Sequence, residues 1–255
     1  MSHLEARGLS VTVAATRVCE DLNVTIKPGE VWSVLGRNGV GKTTLLHTLA
    51  GLAPCASGSV AIDDVDISRL SGRARAQRIG ILFQHSDDLS SLTGHDLLMN
   101  ARHPWIGRWQ GVERKDEQII ERVARDHAIA HLIDQQFGVL SGGERRRIEL
   151  AALAVQDTRV VLLDEPVNHL DLHFQIQLLT DLLRQWRTQK KVVVMVMHDL
   201  NLATRFSDHL LCLLGDGESL SGPTEVVANE ENFSRLIGHP IRQHVADGRA
   251  LFVPV

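Results

Sequence analysis

The sequence contains no tyrosine, only 4% aromatic residues and just three cysteines. Cys19, Cys55 and Cys212 are far apart and odd in number, which excludes a disulfide framework and a Cys-x-x-Cys metal site and fits a reducing compartment. No apolar run approaches the roughly 20 residues that cross a bilayer. Met1 to Gly8 carries charges where a secretory signal needs an apolar stretch, so no signal is expected and any service to a membrane is expected to be by docking. A basic block is also missing. The 27 basic and 31 acidic residues are spread along the chain and leave a formal charge of −4, so nucleic acid is not expected as a partner. What is present is 255 residues with 44% hydrophobic content, enough for a real core.

Short runs rich in Val, Ile and Leu recur between longer helical patterns, at Val31–Leu35, Ile79–Phe83, Val160–Leu163 and Val192–Met197. This spacing predicts buried parallel strands alternating with helices, an α/β core. Leu9–Val13 and Leu22–Ile26 instead alternate apolar and polar side chains, as a half-exposed antiparallel layer beside that core would. From about His95 to Asp134 the pattern turns helical, with Ile119, Ile120, Val123, Ala124 and Ala128 among charged residues. That stretch reads as a helical insertion, at about 90–152, with a loop or break at Gly107–Gly111.

Gly36, Arg37, Asn38, Gly39, Val40, Gly41, Lys42 and Thr43 fit the pattern Gly-x-x-x-x-Gly-Lys-Ser/Thr, directly after one predicted strand and before the apolar helix Thr44–Ala50. The glycines let backbone N–H groups curl towards phosphate oxygens, and the helix start adds the positive end of its dipole. Lys42 is expected on the β- and γ-phosphates and the Thr43 hydroxyl on Mg²⁺. A glycine-rich turn that binds nothing is the alternative, but such a turn needs neither the lysine nor the hydroxyl. Further on, Val160–Leu163 runs straight into Asp164 and Glu165, at the strand end where open parallel sheets bind ligands. Asp164 is placed to hold Mg²⁺ and Glu165 to polarise an attacking water. A solvated strand end is the bland reading of the pair, and it leaves two carboxylates behind four apolar residues unexplained. The two motifs together point to nucleotide hydrolysis.

Leu140, Ser141, Gly142, Gly143 and Glu144 spell LSGGE, which beside the phosphate loop resembles the signature of ABC ATPases. The similarity runs along nearly the whole chain in the family's order: phosphate loop, Gln84 after a strand, LSGGE, the LLDEP run Leu162–Pro166, Leu170-Asp171, and His198 after a strand. The resemblance implies a single nucleotide-binding domain over 1–255, with a P-loop NTPase core, an N-terminal antiparallel β layer and the helical insertion. It implies ATP and Mg²⁺ as cofactors, with nucleotide contacts from Gly36, Asn38, Gly39, Val40, Gly41, Lys42, Thr43 and Thr44. Ser141, Gly142 and Gly143 would meet the γ-phosphate bound by a second copy, so that ATP closes a homodimer. By the same resemblance Gln84 touches Mg²⁺ or the attacking water, His198 contacts the γ-phosphate and Asp171 lies at the dimer seam. Ser141 and Glu144 also form a capping box that starts a helix, and both readings can hold together.

The sequence departs from the family at several points. An aromatic residue, often tyrosine, usually stacks on the adenine where Val13 stands here, so the base is expected to be held by apolar contact alone. Val167 and Asn168 replace the usual Thr and Ser after DEP, and Arg146 replaces a frequent Gln. His169 and His173 flank Asp171 at helical spacing; three ligands without a fourth are poor grounds for a metal site, and packing or polar contact at the seam is expected. Leu97–Gly107, His198–Ala203, Ser234–Gly238 and the tail Gly248–Pro254 resemble importers of iron chelates, haem or cobalamin. That resemblance implies a separate transmembrane permease, an indirect extracellular or periplasmic binding protein, and a peripheral place on the cytoplasmic face of the membrane. A soluble ABC ATPase of the iron–sulfur assembly type, or the ATPase of an exporter or other transporter, are the alternatives.

Overall fold

The structure, a computed structural model, describes residues 3–84, 89–107, 111–168, 170–246 and 248–255. Two long strands, β1 (Leu4–Val13) and β2 (Thr16–Ile26), open the chain as an antiparallel pair. β3 (Val31–Gly36) then leads through a tight loop into α1 (Lys42–Leu49). Next come β4 (Ser57–Ile62), β5 (Val65–Asp66), the short α2 (Gly72–Ala76) and β6 (Ile79–Leu82). Three helices follow, α3 (Gly94–Arg102), α4 (Arg114–Asp126) and α5 (Gly142–Gln156). Strands and helices then alternate as β7 (Val160–Asp164), α6 (Leu172–Thr188), β8 (Val192–Val196), α7 (Leu200–Phe206) and β9 (His209–Gly215). β10 (Glu218–Pro223), α8 (Thr224–Val227), α9 (Glu230–Ile237) and the hairpin β11 (Ile241–Ala246) and β12 (Arg249–Pro254) complete the chain.

The larger sheet runs β10-β9-β3-β8-β7-β6, parallel except for β10 at the edge, and the smaller runs β2-β1-β4-β5, antiparallel throughout. Continuous apolar runs suit the larger sheet because both its faces are covered, and strand alternation deals each run to two cores. Val160, Leu162, Val192, Val194 and Val196 pack with α1 and the antiparallel sheet. Val161, Leu163, Val193 and Met195 pack on the other face against Leu179, Leu182, Leu183 and Trp186 of α6. Each such buried aliphatic side chain contributes about 1.5–3 kcal/mol.

α3, α4 and α5 enclose a third core of their own, built from Leu98, Ile120, Val123, Ile148, Ala151 and Val155 among others. Buried Arg102 ties these three helices, pairing with Asp116 at 3.0 Å and donating to the Val155 carbonyl at 3.0 Å. It belongs to the Leu97–Gly107 stretch singled out above, so part of that pattern is a packing device. The end of the same stretch is pinned to the sheet side, where Arg73 and Gln77 donate to the Pro104 carbonyl. α5 looks both ways: Ile148 and Val155 face the helical core while Leu150 and Leu153 face the sheet. Of the predicted break at Gly107–Gly111, residues 108–110 lie outside the described residues. Among the described residues no helix is long and apolar enough to cross a membrane.

Candidate functional site

The loop between β3 and α1 is shaped by glycines that the chain itself demands. A Cβ on Gly36 would lie 2.7 Å from Val40 Cγ1, and one on Gly41 would lie 2.4 Å from Val18 Cγ2, with Gly41 at a φ of +104° that L side chains rarely adopt. Gly41 therefore starts α1 in the left-handed region and offers no side chain as a cap, which leaves the helix's first N–H groups without a side-chain partner. Lys42 folds back over the loop, its Nζ donating to the carbonyls of Gly36 at 2.9 Å and Arg37 at 3.1 Å. Burial pulls its pKa down from 10.5, and the nearby carboxylates of Glu165 and Asp164 pull it back up.

A cavity of about 550 Å³ opens over this loop, lined by Val13, Thr16, Val18, Asn38, Gly39, Gly41, Lys42, Thr43, Thr44, Gln84, Glu165 and His198. Strand ends of the parallel sheet bring these residues together: β6 runs into Gln84, β7 into Glu165 and β8 towards His198. Glu165 Oε2 accepts from Gln84 Nε2 at 2.9 Å and from Asn168 Nδ2, and its Oε1 is bonded to His198 Nε2. Its backbone sits at a φ of +50°, a left-handed conformation that costs a non-glycine residue roughly 1–2 kcal/mol. Arg146 reaches in from α5 and donates to the carbonyls of Asp164, Glu165 and Pro166.

Asp164 is fully buried, and among the described residues neither carboxylate oxygen completes a hydrogen bond of ordinary geometry. Burial raises its pKa above 3.8; the neighbouring Thr43 hydroxyl pulls the other way. A buried, under-partnered carboxylate beside a threonine hydroxyl is a pair of hard oxygen donors, and that donor set fits Mg²⁺.

The remaining expected residues lie elsewhere. Val40 packs against the core beneath the loop. Ser141 caps α5 through the expected capping box with Glu144, and Gly142 and Gly143 form that helix's first turn. Asp171 caps α6, accepting from Phe174 N at 3.1 Å. None of Val40, Ser141, Gly142, Gly143 and Asp171 lines the cavity within one chain. His173 meets Phe174 edge-on, and His169 lies outside the described residues. Thr16 and Val18 line the cavity without having been singled out from the sequence. Asn168 and Arg146 were visible only as departures from a family pattern. Their side chains act on atoms brought near by the fold, and only a contact map would have exposed that.

Residues 19–168 match the ABC transporter family. A hemin import ATP-binding protein of Rhodococcus jostii is 34% identical over 253 residues, covering 98% of this chain and 86% of that one. The ferric enterobactin transport ATP-binding protein of Escherichia coli is 32% identical over 259 residues, covering 100% and 95%. Among solved structures, a chain from the inward-facing conformation of a transporter assigned to the metal-chelate type superimposes with a TM-score of 0.86 at 25% identity, covering 100% of this chain and 98% of that one. On the family match over more than half of its length and on relatives above 30% identity over nearly all of it, the chain belongs to the ABC transporter family, as one of its ATP-binding ATPase subunits.

Proposed function

We propose that this chain energises uptake of a metal chelate, of the iron–siderophore, haem or cobalamin class, through a separate permease. It would dock as a homodimer on the cytoplasmic face of the membrane, with a binding protein delivering cargo to the far side. The observation that carries the reading is similarity over nearly the full length to relatives named as hemin import and ferric enterobactin transport ATP-binding proteins.

The site supports a division of labour. Lys42 and the open N–H groups of α1 bind the phosphates, while Val13, 41% exposed at the cavity's rim, gives the base an apolar contact. Thr43 and Asp164 would hold Mg²⁺, with Gln84 of the same cavity as a further oxygen donor, and the ion when bound would screen the charge on the phosphates. Glu165 acts as general base. A carboxylate offers about four acceptor positions, and Gln84, Asn168 and His198 occupy three, which leaves one for the attacking water. His198 is positioned to follow the γ-phosphate.

Gly142 and Gly143 support the paired arrangement. A Cβ on Gly142 would meet nothing within 4 Å, and one on Gly143 would make only an ordinary contact at 3.5 Å. The chain's own fold has no use for glycine there; a phosphate approaching the start of α5 from a second copy does. Val139 and Leu172, beside the signature and Asp171, are 72% and 61% exposed, an apolar margin suited to a partner surface. Two ATP molecules held between phosphate loop and signature would close the pair, and their higher affinity for the closed state would drive the permease.

Glu165→Gln tests the chemistry. It is expected to bind ATP, remain paired and hydrolyse about 100-fold more slowly or worse; normal turnover would remove Glu165 as the base. Gentle solubilisation of native membranes with the tagged chain tests the transport role. Co-purification of a polytopic permease is expected, and recovery of cytosolic partners alone would sink it.

A further inference from the structure

Arg146 is buried on α5, the helix that starts at the signature, yet every hydrogen bond it makes beyond its own helix goes to the catalytic end of the sheet. Its Nε donates to the Pro166 carbonyl at 2.9 Å. One terminal nitrogen donates to the Asp164 carbonyl at 3.0 Å and the Glu165 carbonyl at 2.6 Å. The other donates to the Phe83 carbonyl at 3.2 Å and the Glu149 carboxylate at 2.8 Å. A guanidinium has five N–H donors, and here each has an acceptor. Lysine has three donors and glutamine two, and neither forms a planar fork.

The acceptors are not a random set. Asp164, Glu165 and Pro166 carry the carbonyls on either side of Glu165, the residue held at positive φ, and Phe83 is the residue before Gln84. Gln84 in turn donates to the Glu165 carboxylate. One side chain thus grips the backbones of both residues that face the reacting centre, and it does so from a helix that belongs partly to a different core. We propose that Arg146 is a positioning residue for hydrolysis, a five-point clamp that holds Glu165 and Gln84 in register and makes that register depend on where the signature helix sits. The inference rests on the assignment of Glu165 as base.

Arg146→Lys keeps the charge opposite Glu149 but cannot reach all four carbonyls. Arg146→Gln combined with Glu149→Gln removes both charges together, so no buried ion is stranded. In whichever of these folds, kcat at saturating ATP is expected to fall about tenfold or more, while KM for ATP stays within about twofold. Amide exchange in the nucleotide-free protein is expected to quicken at Phe83, Gln84, Asp164 and Glu165 and not in the centre of the sheet. Glu149→Gln alone leaves the four carbonyl bonds in place and keeps an amide oxygen to accept from Arg146; it leaves the buried guanidinium without its counter-ion and is expected to lower Tm, while kcat of the folded protein stays within about twofold of the wild type. Normal kcat in a folded Arg146 variant, or an equal loss in Glu149→Gln, overturns the clamp. Glu165→Gln run alongside separates the two readings: if it turns over normally the base assignment fails, and the clamp then stands or falls on the exchange at Asp164 and Glu165 in the Arg146 variants.

Discussion

Two helix starts in this molecule are each assigned to phosphate, and they are built in opposite ways. α1 begins at a left-handed Gly41 with no side-chain cap, whereas α5 begins at Ser141, whose hydroxyl accepts from Glu144 N while the Glu144 carboxylate accepts from Ser141 N at 2.9 Å. The first leaves its donors open, carries Lys42 as its own first residue, and is surrounded by strand ends that lead into Gln84, Glu165 and His198. The second satisfies two of its own donors and faces outward with little around it. On the proposed reading, the open and enclosed start would bind phosphate within one chain, and the capped and exposed start would do so only with a second copy. The contrast puts the demanding backbone geometry at the start of α1, and the proposed pairing would complete the start of α5 from outside.

The sharpest way to break this contrast is at Lys42. Its ammonium both braces the loop through the Gly36 and Arg37 carbonyls and, among the described residues, supplies the one lysine or arginine charge in the cavity lining, at the open start of α1. Lys42→Ala is expected to lower ATP turnover about 100-fold or more, measured as phosphate release; full activity would undo the phosphate-loop assignment.

The glycines give the next largest effect. Gly41→Ala forces a Cβ to 2.4 Å from Val18 at a φ of +104° and is expected to destabilise the fold by about 1–3 kcal/mol. Gly143→Ala should leave thermal stability within about 0.5 kcal/mol yet impair turnover. Equal melting losses in the two variants would erase the distinction between a loop glycine needed by the chain and a signature glycine needed by its partner.

Much of this was readable in the sequence, because each motif is local. The four apolar runs become β3, β6, β7 and β8 within a residue of the predicted ends, since a buried strand shows itself as an unbroken run. The capping box of α5 was legible from Ser141 and Glu144 alone, three residues apart. What the sequence hid is long-range. Asn168 on the Glu165 carboxylate and Arg146 on four carbonyls depend on a turn and a helix crossing that no local pattern encodes. The dealing of Val160–Leu163 to two separate cores was implicit in strand alternation, but which helices would cover each face was not.

At the capped end the expected effects are smaller. Ser141→Ala removes the hydroxyl from a box that the chain uses for its own helix, and should cost about 1 kcal/mol of stability as read by chemical denaturation. A loss near zero would mean that the box is ornamental in the monomer and that Ser141 serves only the incoming phosphate.

The smallest effect concerns what lies behind α5. His127 closes α4 beside Arg147 and Leu150 of α5 and Phe174 and Asp181 of α6. Burial holds its pKa below 6.5, Asp126 opposes this, and among the described residues its Nε2 has no hydrogen-bond partner. The folded protein therefore keeps the ring neutral where the unfolded chain would already bind a proton. The stability this represents is complete above about pH 6.5 and is lost as pH falls below that value towards the lowered folded pKa. Thermal melts between pH 7 and pH 5 should show the wild type losing Tm faster than His127→Leu, which has no proton to bind. Parallel curves would mean that the ring is not kept neutral by the fold, and that the helical layer behind the signature is no more acid-sensitive than the sheet that carries the phosphate loop.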